Sequence, residues 1–341
     1  MGKTAIVILN YNGEKYLRQF LPSVLSHSQG CEIIVADNCS TDQSLQYLEQ
    51  HQPAVRIIRL SENGGYSKGY NEALAQVDAD YYVLLNSDVE VTANWVAPII
   101  EMMEADHSIA AAQPKILSFN QPDEFEYAGA AGGYIDSLGY PFCRGRLFNT
   151  LEKDSGQYDD RKQIFWATGA CLFIRSDVFH TLGGLDPDFF AHMEEIDLCW
   201  RINSAGLKVM YDGRSTVYHV GGGTLHKSNP KKTYLNFRNG LSLIYKNYSK
   251  AEVYLKMPVR IILDIIASIK FMAFDSFADG WAVIRAHRDF LSDFSKNYRK
   301  RKAVQQKRIR EASTIYRGSV VYEYFVKGKK RFDELDMPDK S

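Results

Sequence analysis

Four short apolar runs, each closing on small polar residues, set the tightest limit on how this chain can fold. They cover residues 4–9, 31–36, 55–60 and 81–85. Their endings read Asn10-Tyr11-Asn12-Gly13, Asp37-Asn38-Cys39-Ser40-Thr41-Asp42, Glu62-Asn63-Gly64-Gly65 and Asn86-Ser87-Asp88. Helical stretches separate the runs. Continuously apolar strands need cover on both faces, so the expected architecture is α/β, a mainly parallel sheet flanked by helices. Ligands of such sheets bind beyond the carboxyl ends of the strands. A single polar ending is ordinary turn chemistry; four of them outline a crevice. Asp37 reads either as a binding residue or as the Asx-turn or cap of the next helix. Asp88 reads as a turn residue or as an oxygen ligand for a hard cation such as magnesium or manganese, bridging phosphate oxygens. The first ending lacks G-x-G-x-x-G, and G-x-x-x-x-G-K-[ST] is absent, which disfavours a dinucleotide oxidoreductase and a P-loop nucleotidase.

A second constraint lies at residues 183–201, where Gly183-Gly184 precedes Phe189-Phe190 and three carboxylates in four positions, Glu194, Glu195 and Asp197. The acids open a helix that should run to Gly206 as its C-cap. Acids in a first turn suit the helix dipole, which is explanation enough for most of them. Phase separates them further. Glu195, Leu198, Cys199 and Ile202 share one stripe, so Glu195 heads an apolar face. A carboxylate there has a raised pKa, which suits a general base. Asp197 and Arg201 fall four apart on another side, as an ordinary ion pair.

Elsewhere, residues 94–105 read as an amphipathic helix capped by Asn94, and 110–117 as a strand. Residues 118–163 are loop-rich, with short hairpin strands or a mobile flap. Residues 164–175 read as one buried strand interrupted at Gly169. Trp166 within it either stacks on a sugar ring or belongs to the core. Strands follow at 208–211 and 215–220, the latter containing His219 before Gly221-Gly222-Gly223. A lone histidine there is a structural hydrogen-bonder or a ligand, and the glycines suit a backbone that moves or approaches a ligand closely.

With 341 residues the chain can hold one large or two medium domains. Its zero net charge hides a split: 22 Lys and Arg face 29 Asp and Glu through residue 250, against 19 and 12 beyond it. The five cysteines form no C-x-x-C pair, so a zinc site or disulfide framework is not expected and a reducing cytoplasm fits. No signal peptide or eighteen-residue apolar span is read. Residues 253–277 read as one or two amphipathic helices with a polar side. Basic residues at 299–302, 307, 308 and 310 follow without an acid. This tail suits an anionic membrane surface, or packs on the body as a solvated basic face. Nucleic acid is not expected, since no recognition motif accompanies the charge.

Taken together, V-I-L-N-Y-N-G, V-A-D-N-C-S-T-D, N-G-G-Y-S-K-G-Y-N, L-L-N-S-D-V, T-G-A-C-L-F-I-R, G-G-L-D-P-D-F-F, E-E-I-D-L-C-W-R, A-G and H-V-G-G-G-T resemble glycosyltransferase family 2, in particular its bacterial rhamnosyltransferase-like members. Nine motifs in order across residues 3–245 make the resemblance specific. It implies a GT-A fold, a Rossmann-like domain over residues 1–245 that binds a nucleotide-sugar and a divalent metal, Mn2+ or Mg2+. Residues 246–341 would form a helical, basic extension. By the resemblance, Asp37 holds the nucleobase with Asn10 and Tyr11 walling the pocket, and Asn63, Gly64 and Asn71 lie beside the nucleotide. Asn86-Ser87-Asp88 takes the D-x-D position, with Asn86 replacing the first acid, and Asp88 and His219 hold the metal. Glu195 is the base, with Glu194 as the fallback. Trp166 and Gly169 are candidate acceptor-side residues. The implied activity is metal-dependent, inverting hexosyl transfer from a UDP- or dTDP-sugar to a hydroxyl of a glycan or polyprenyl-linked acceptor, at the cytoplasmic face of the cell membrane. The glycine-rich 129–145 region and the 221–223 loop are candidate lids that keep water out. Two rivals stand beside it. A sugar-nucleotide nucleotidyltransferase would carry a Gly-rich basic loop after the first strand, and a non-catalytic relative would lack the Asp88, Glu195 or His219 chemistry.

Overall fold

The computed structural model describes residues 2–221, 229–312 and 314–337. The apolar runs form β1 (Thr4–Asn10), β2 (Glu32–Asp37), β3 (Arg56–Arg59) and β4 (Tyr81–Asn86), separated by α1 (Glu14–His27), α2 (Ser44–His51) and α3 (Gly65–Leu74). Next come β5 (Val89–Val91), α4 (Ala97–Ala105), β6 (Ile109–Ser118), β7 (Gly133–Ile135), β8 (Pro141–Cys143), β9 (Arg146–Leu147), β10 (Thr150–Leu151), β11 (Arg161–Ile164), β12 (Cys171–Arg175), α5 (Ser176–Leu182), α6 (Glu194–Ser204) and β13 (Lys208–His219). The remaining helices are α7 (Pro230–Asn247), α8 (Lys250–Lys270), α9 (Phe277–Ser292), α10 (Phe294–Gln306) and α11 (Val320–Phe325).

The large sheet has the order β11-β13-β6-β12-β4-β1-β2-β3, with β5 beside β13. Strands β3, β2, β1 and β4 are parallel, as is the β6–β13 pair, and β12 runs antiparallel between β4 and β6. Alternation along β1 explains the two-sided burial. Ala5 and Val7 face a core with α3, α5, α6 and α7, while Ile6 and Ile8 face one with α1, α2 and α4. In register, Asn10 stands opposite Asp37 and Leu9 opposite Asn86, so three polar strand endings finish at one level.

Four expectations change. Asn94 adopts a left-handed φ of 60° and does not cap; the helix starts later, with a proline in its first turn. Residues 164–175 are two strands, because β11 pairs with β13 while β12 pairs with β4 and β6, leaving a turn at 165–170. The two strands expected at 208–220 are one, β13, with a bulge between Asp212 and Thr216. The 129–145 stretch is no flap: it is buried, it supplies strands of a second sheet ordered β10-β9-β8-β7, and Gly133 lies so close to the Trp166 indole that a side chain would overlap it.

The basic tail folds back on the acidic body. Arg301 donates to the carbonyls of Tyr245 and Tyr248, Arg308 to that of Asn247, Lys307 to Thr181 and Arg310 to Gly206. These carbonyls lie at the carboxyl ends of α7, α5 and α6, where helix oxygens lack intrahelical partners and the dipole favours cations. Lys300 pairs with Asp186 and Asp188, and Lys296 with Asp188. Much of the tail's charge is therefore used within the molecule. Among the described residues, no helix is long and apolar enough to cross a membrane.

Candidate active site

The carboxyl ends of β1 and β2 form a polar floor. The Asn10 amide donates to Asp37 at 3.2 Å and to Ser40 at 3.1 Å, and the Ser40 backbone donates to the other Asp37 oxygen at 2.9 Å. That last bond is the Asx geometry the sequence allowed. Asn10 and Asp37 are buried, whereas Tyr11 beside them is 48% exposed. Asn38 ties this floor to the third ending: its amide donates to Asn63 at 3.1 Å, and its carbonyl accepts from Gly64 at 3.2 Å. Asn71 lies differently. Both ends of its side chain bind the Leu185 backbone, at 2.9 and 2.7 Å, so it anchors the loop before the acidic helix.

Strand pairing explains the next cluster. Val89 on β5 stands opposite His219 on β13, which brings Asp88 and His219 together across 131 positions of sequence. His219 Nε2 lies 3.1 Å from Asp88 Oδ1 and 3.4 Å from the Asn86 amide. On the ring's other side, Nδ1 lies 3.4 Å from Glu126. Burial pulls the His219 pKa down, but Glu126 and Asp88 outweigh it and push it up to about 10. Glu126 comes from a loop without periodicity, and nothing in the sequence singled it out. One carboxylate oxygen, one imidazole nitrogen and one amide suit a hard divalent ion that completes its shell with phosphate oxygens. Among the described residues no group of three or more His, Cys, Asp or Glu could hold a metal, so phosphates would have to share the ion.

Glu194 and Glu195 start α6 against the turn at 165–170. Asn86 donates to the Ala170 carbonyl at 3.0 Å, and the Gly169 backbone hydrogen-bonds the Glu195 carboxylate. Gly169 thus joins the acidic pair to the end of β4. Tyr66 completes the contact, its hydroxyl donating to the Gly169 carbonyl at 2.6 Å. Each glutamate keeps one buried oxygen, Oε2, without a partner among the described residues. Burial pushes the Glu195 pKa up to about 7; burial and the Glu195 charge push Glu194 up as well. Burial and the Glu195 charge therefore oppose ionising both carboxyls at once. The loop before them is strained, with left-handed φ at Phe190, His192 and Met193. Asn239 of α7 holds it, donating from Nδ2 to the carbonyls of Phe189, Ala191 and His192 at 3.0, 2.9 and 2.8 Å.

Trp166 is corrected. Its ring is buried against Gly133 and its Nε1 donates to the Tyr134 carbonyl at 2.8 Å, so it is core and presents no face to a sugar. Gly222 and Gly223, expected in a lid, lie outside the described residues.

With this geometry in place, the comparisons decide the family. The sequence model described as Glycosyl transferase family 2 matches residues 5–183, more than half of the chain. The chain belongs to glycosyl transferase family 2. It is a glycosyltransferase. A Mycobacterium tuberculosis relative, N-acetylglucosaminyl-diphospho-decaprenol L-rhamnosyltransferase, is 28% identical over 233 residues, 63% of this chain and 75% of the relative. The Escherichia coli rhamnosyltransferase WbbL is 24% identical over 215 residues, 60% and 79% of the two chains. Among solved structures, GalNAc-T7 with UDP, GalNAc and Mn2+ superposes with a TM-score of 0.59 at 18% identity, over 86% of this chain and 58% of that one. A Pyrobaculum calidifontis mannosyltransferase with GDP-Man and Mn2+ gives 0.52 at 12% identity, over 90% and 84%. These likenesses show the fold, which is GT-A. The family match ends before Glu194, Glu195 and His219.

Proposed function

We propose that this glycosyltransferase moves a sugar, with inversion, from a nucleoside-diphosphate sugar to a hydroxyl of a polyprenyl-linked glycan acceptor at the cytoplasmic face of the membrane. The observation that carries the chemistry is the unpaired, buried Glu194–Glu195 pair lying one turn of chain from the polar strand endings. Asp37, Asn10 and Tyr11 would receive the nucleobase, with Asn63 and Gly64 along the nucleotide; the names of the M. tuberculosis and E. coli relatives favour a rhamnosyl donor, and that of the M. tuberculosis relative favours the lipid-diphosphate acceptor.

Asp88 and His219, with Asn86 adjacent, would hold a manganese or magnesium ion. When bound, such an ion neutralises charge on the departing diphosphate. Glu126 orients the His219 ring from its far nitrogen, as carboxylates do behind metal-binding imidazoles. Glu195 takes the proton from the acceptor hydroxyl. A pKa about 7 leaves it ionised often enough to accept that proton and basic enough to keep it. Glu194, held protonated by deeper burial, lets its neighbour carry the single negative charge. The Gly169 backbone fixes the direction of the Glu195 carboxylate.

Glu195→Gln tests the assignment. Transfer is expected to fall about 10²- to 10⁴-fold while thermal stabilisation by a UDP- or dTDP-sugar with manganese persists. Near-normal transfer by this variant would move the base to Glu194, for which Glu194→Gln is the matching control.

A further inference from the structure

We propose that the outward face of α8 and α9 is a docking surface for an anionic lipid bilayer. Helix α8 is built inside out. Its buried side carries Arg260, Asp264 and Ser268, and the charges there are all satisfied. Arg260 donates to Asp264 at 2.9 Å and to the carbonyls of Leu138 and Gly139, and its guanidinium lies 3.8 Å over the Tyr140 ring. Asp264 also binds His287 of α9 at 3.2 Å, and Ser268 donates to the Gly280 carbonyl at 2.9 Å. The opposite side presents Leu255, Val259, Ile262, Ile266 and Ile269 at helical spacing, with Ile262 57% and Ile269 61% exposed.

The stripe does not end with the helix. Phe274, 82% exposed, carries it through the connection, and Phe277, Trp281 and Ile284 continue it along α9, which packs against α8. Exposed apolar side chains in a run this long mark a contact with something apolar. Aromatics at its turn and rim suit the headgroup boundary, where an apolar ring and a polar edge are both satisfied.

Charge selects the occupant. Lys250, Lys270, Arg285 and Arg288 are exposed on α8 and α9 themselves, against Asp275 in their connection as the exposed acid described there. A second copy of the chain would bring like charge to like charge. An anionic leaflet neutralises the fringe while the acyl boundary takes the stripe. The anchorage also reaches the site: α9 is bonded to α7 through Thr233 to Asp279 and Tyr234 to Asp289, and α7 carries Asn239 under the catalytic loop. The lipid-linked acceptor proposed above gives this surface a use, but the surface stands on its own geometry.

Vesicle co-sedimentation of the full chain tests it. Binding is expected to phosphatidylcholine vesicles containing phosphatidylglycerol, to be weaker without the anionic lipid, and to fall with added salt. The triple variant Ile262→Glu, Ile266→Glu, Ile269→Glu, all on the exposed side, should bind about a hundredfold more weakly. Its thermal stabilisation by uridine or thymidine diphosphate with manganese should match wild type, which separates loss of docking from loss of the donor site. No wild-type binding to the anionic vesicles, or equal binding by the variant, overturns the proposal. So does light scattering that finds a wild-type dimer which the variant splits, since a second copy would then cover the face.

Discussion

Two charged clusters on α6 lie within one helical turn and could not differ more. Asp197 is fully buried but saturated: Arg201 donates to it at 2.9 Å, Asn247 at 2.9 Å, and Lys246 stands 3.0 Å away while also holding Asp186 at 2.5 Å. Lys246 and Arg201 hold the Asp197 pKa down against the burial that raises it. Glu194 and Glu195, three and two residues earlier, have no cation among the described residues and one orphaned oxygen each. The same helix therefore separates charge that ties the molecule together from charge left uncompensated, which the proposed base role would use. An unpaired buried carboxylate costs stability, and a fold retains that cost where the group has work to do.

The largest test of this contrast is turnover. Glu195→Gln should lower the rate of transfer about 10²- to 10⁴-fold, the span of general-base contributions, with the folded state retained. Asp197→Asn should leave the rate per folded molecule within about tenfold and lower the yield of folded protein, because its cations lose their counter-charge. Steady-state kinetics on both variants, normalised to folded protein by circular dichroism, decides between the two roles. If Asp197→Asn abolished transfer in well-folded protein, the contrast would fail.

Next in size is stability. Removing the shared cation in Lys246→Met leaves Asp186 and Asp197 underpaired and should cost about 3 kcal/mol, read as a lower urea midpoint with an unchanged slope. Lys300, which also reaches Asp186, limits the damage and predicts that Lys300→Met is milder.

The two clusters should also titrate oppositely. Glu195 rises from 4.5 to about 7 on folding, so between those values the folded state holds more proton than the unfolded chain. Its contribution is present below about pH 4.5 and is lost as pH rises towards 7. Asp197, lowered on folding, contributes stability at neutral pH that is lost on acidification. Thermal melts from pH 5 to 8 should show a decline in wild type that is flatter in Glu195→Gln. An equal decline in both would place the titration elsewhere.

Much of this was readable from the chain because local patterns carried it. The apolar runs fixed β1 to β4 and their polar endings, and the i, i+3, i+4, i+7 phase put Glu195 at the head of a buried stripe and Asp197 with Arg201. Motif order named the family. What stayed hidden depends on contacts between distant segments. Glu126 meets His219 only because β6 and β13 run side by side, and Asn239 meets the 189–192 loop only because α7 packs there. Trp166 misled because an aromatic beside Gly169 looks the same whether it faces a sugar or Gly133. The inversion of α8 was half visible: its two faces were legible, but which one turned inward was set by Tyr140, Leu138 and His287.

Asn239 is where the contrast is sharpest at the smallest energy. It is neutral and 1% exposed, and it spends both amide hydrogens on three carbonyls of a loop whose Phe190, His192 and Met193 sit in left-handed conformations. Arg238 donates to its oxygen at 2.9 and 2.7 Å, which leaves the amide nitrogen pointing at the loop. Strain of about 1 kcal/mol or more per left-handed residue would relax if that grip were lost, offsetting part of the lost hydrogen bonding. Asn239→Ala should therefore cost only about 1–2 kcal/mol in stability. Relaxation of the loop moves the start of α6, so transfer should fall about tenfold or more through kcat, with KM for the donor little changed because the strand endings are untouched. Asn239→Asp keeps the shape but removes the donors, and should lower kcat as much as alanine does. If the aspartate variant transferred at the wild-type rate, the loop would not need its amide, and Asn239 would belong with Asp197 on the purely structural side of the contrast.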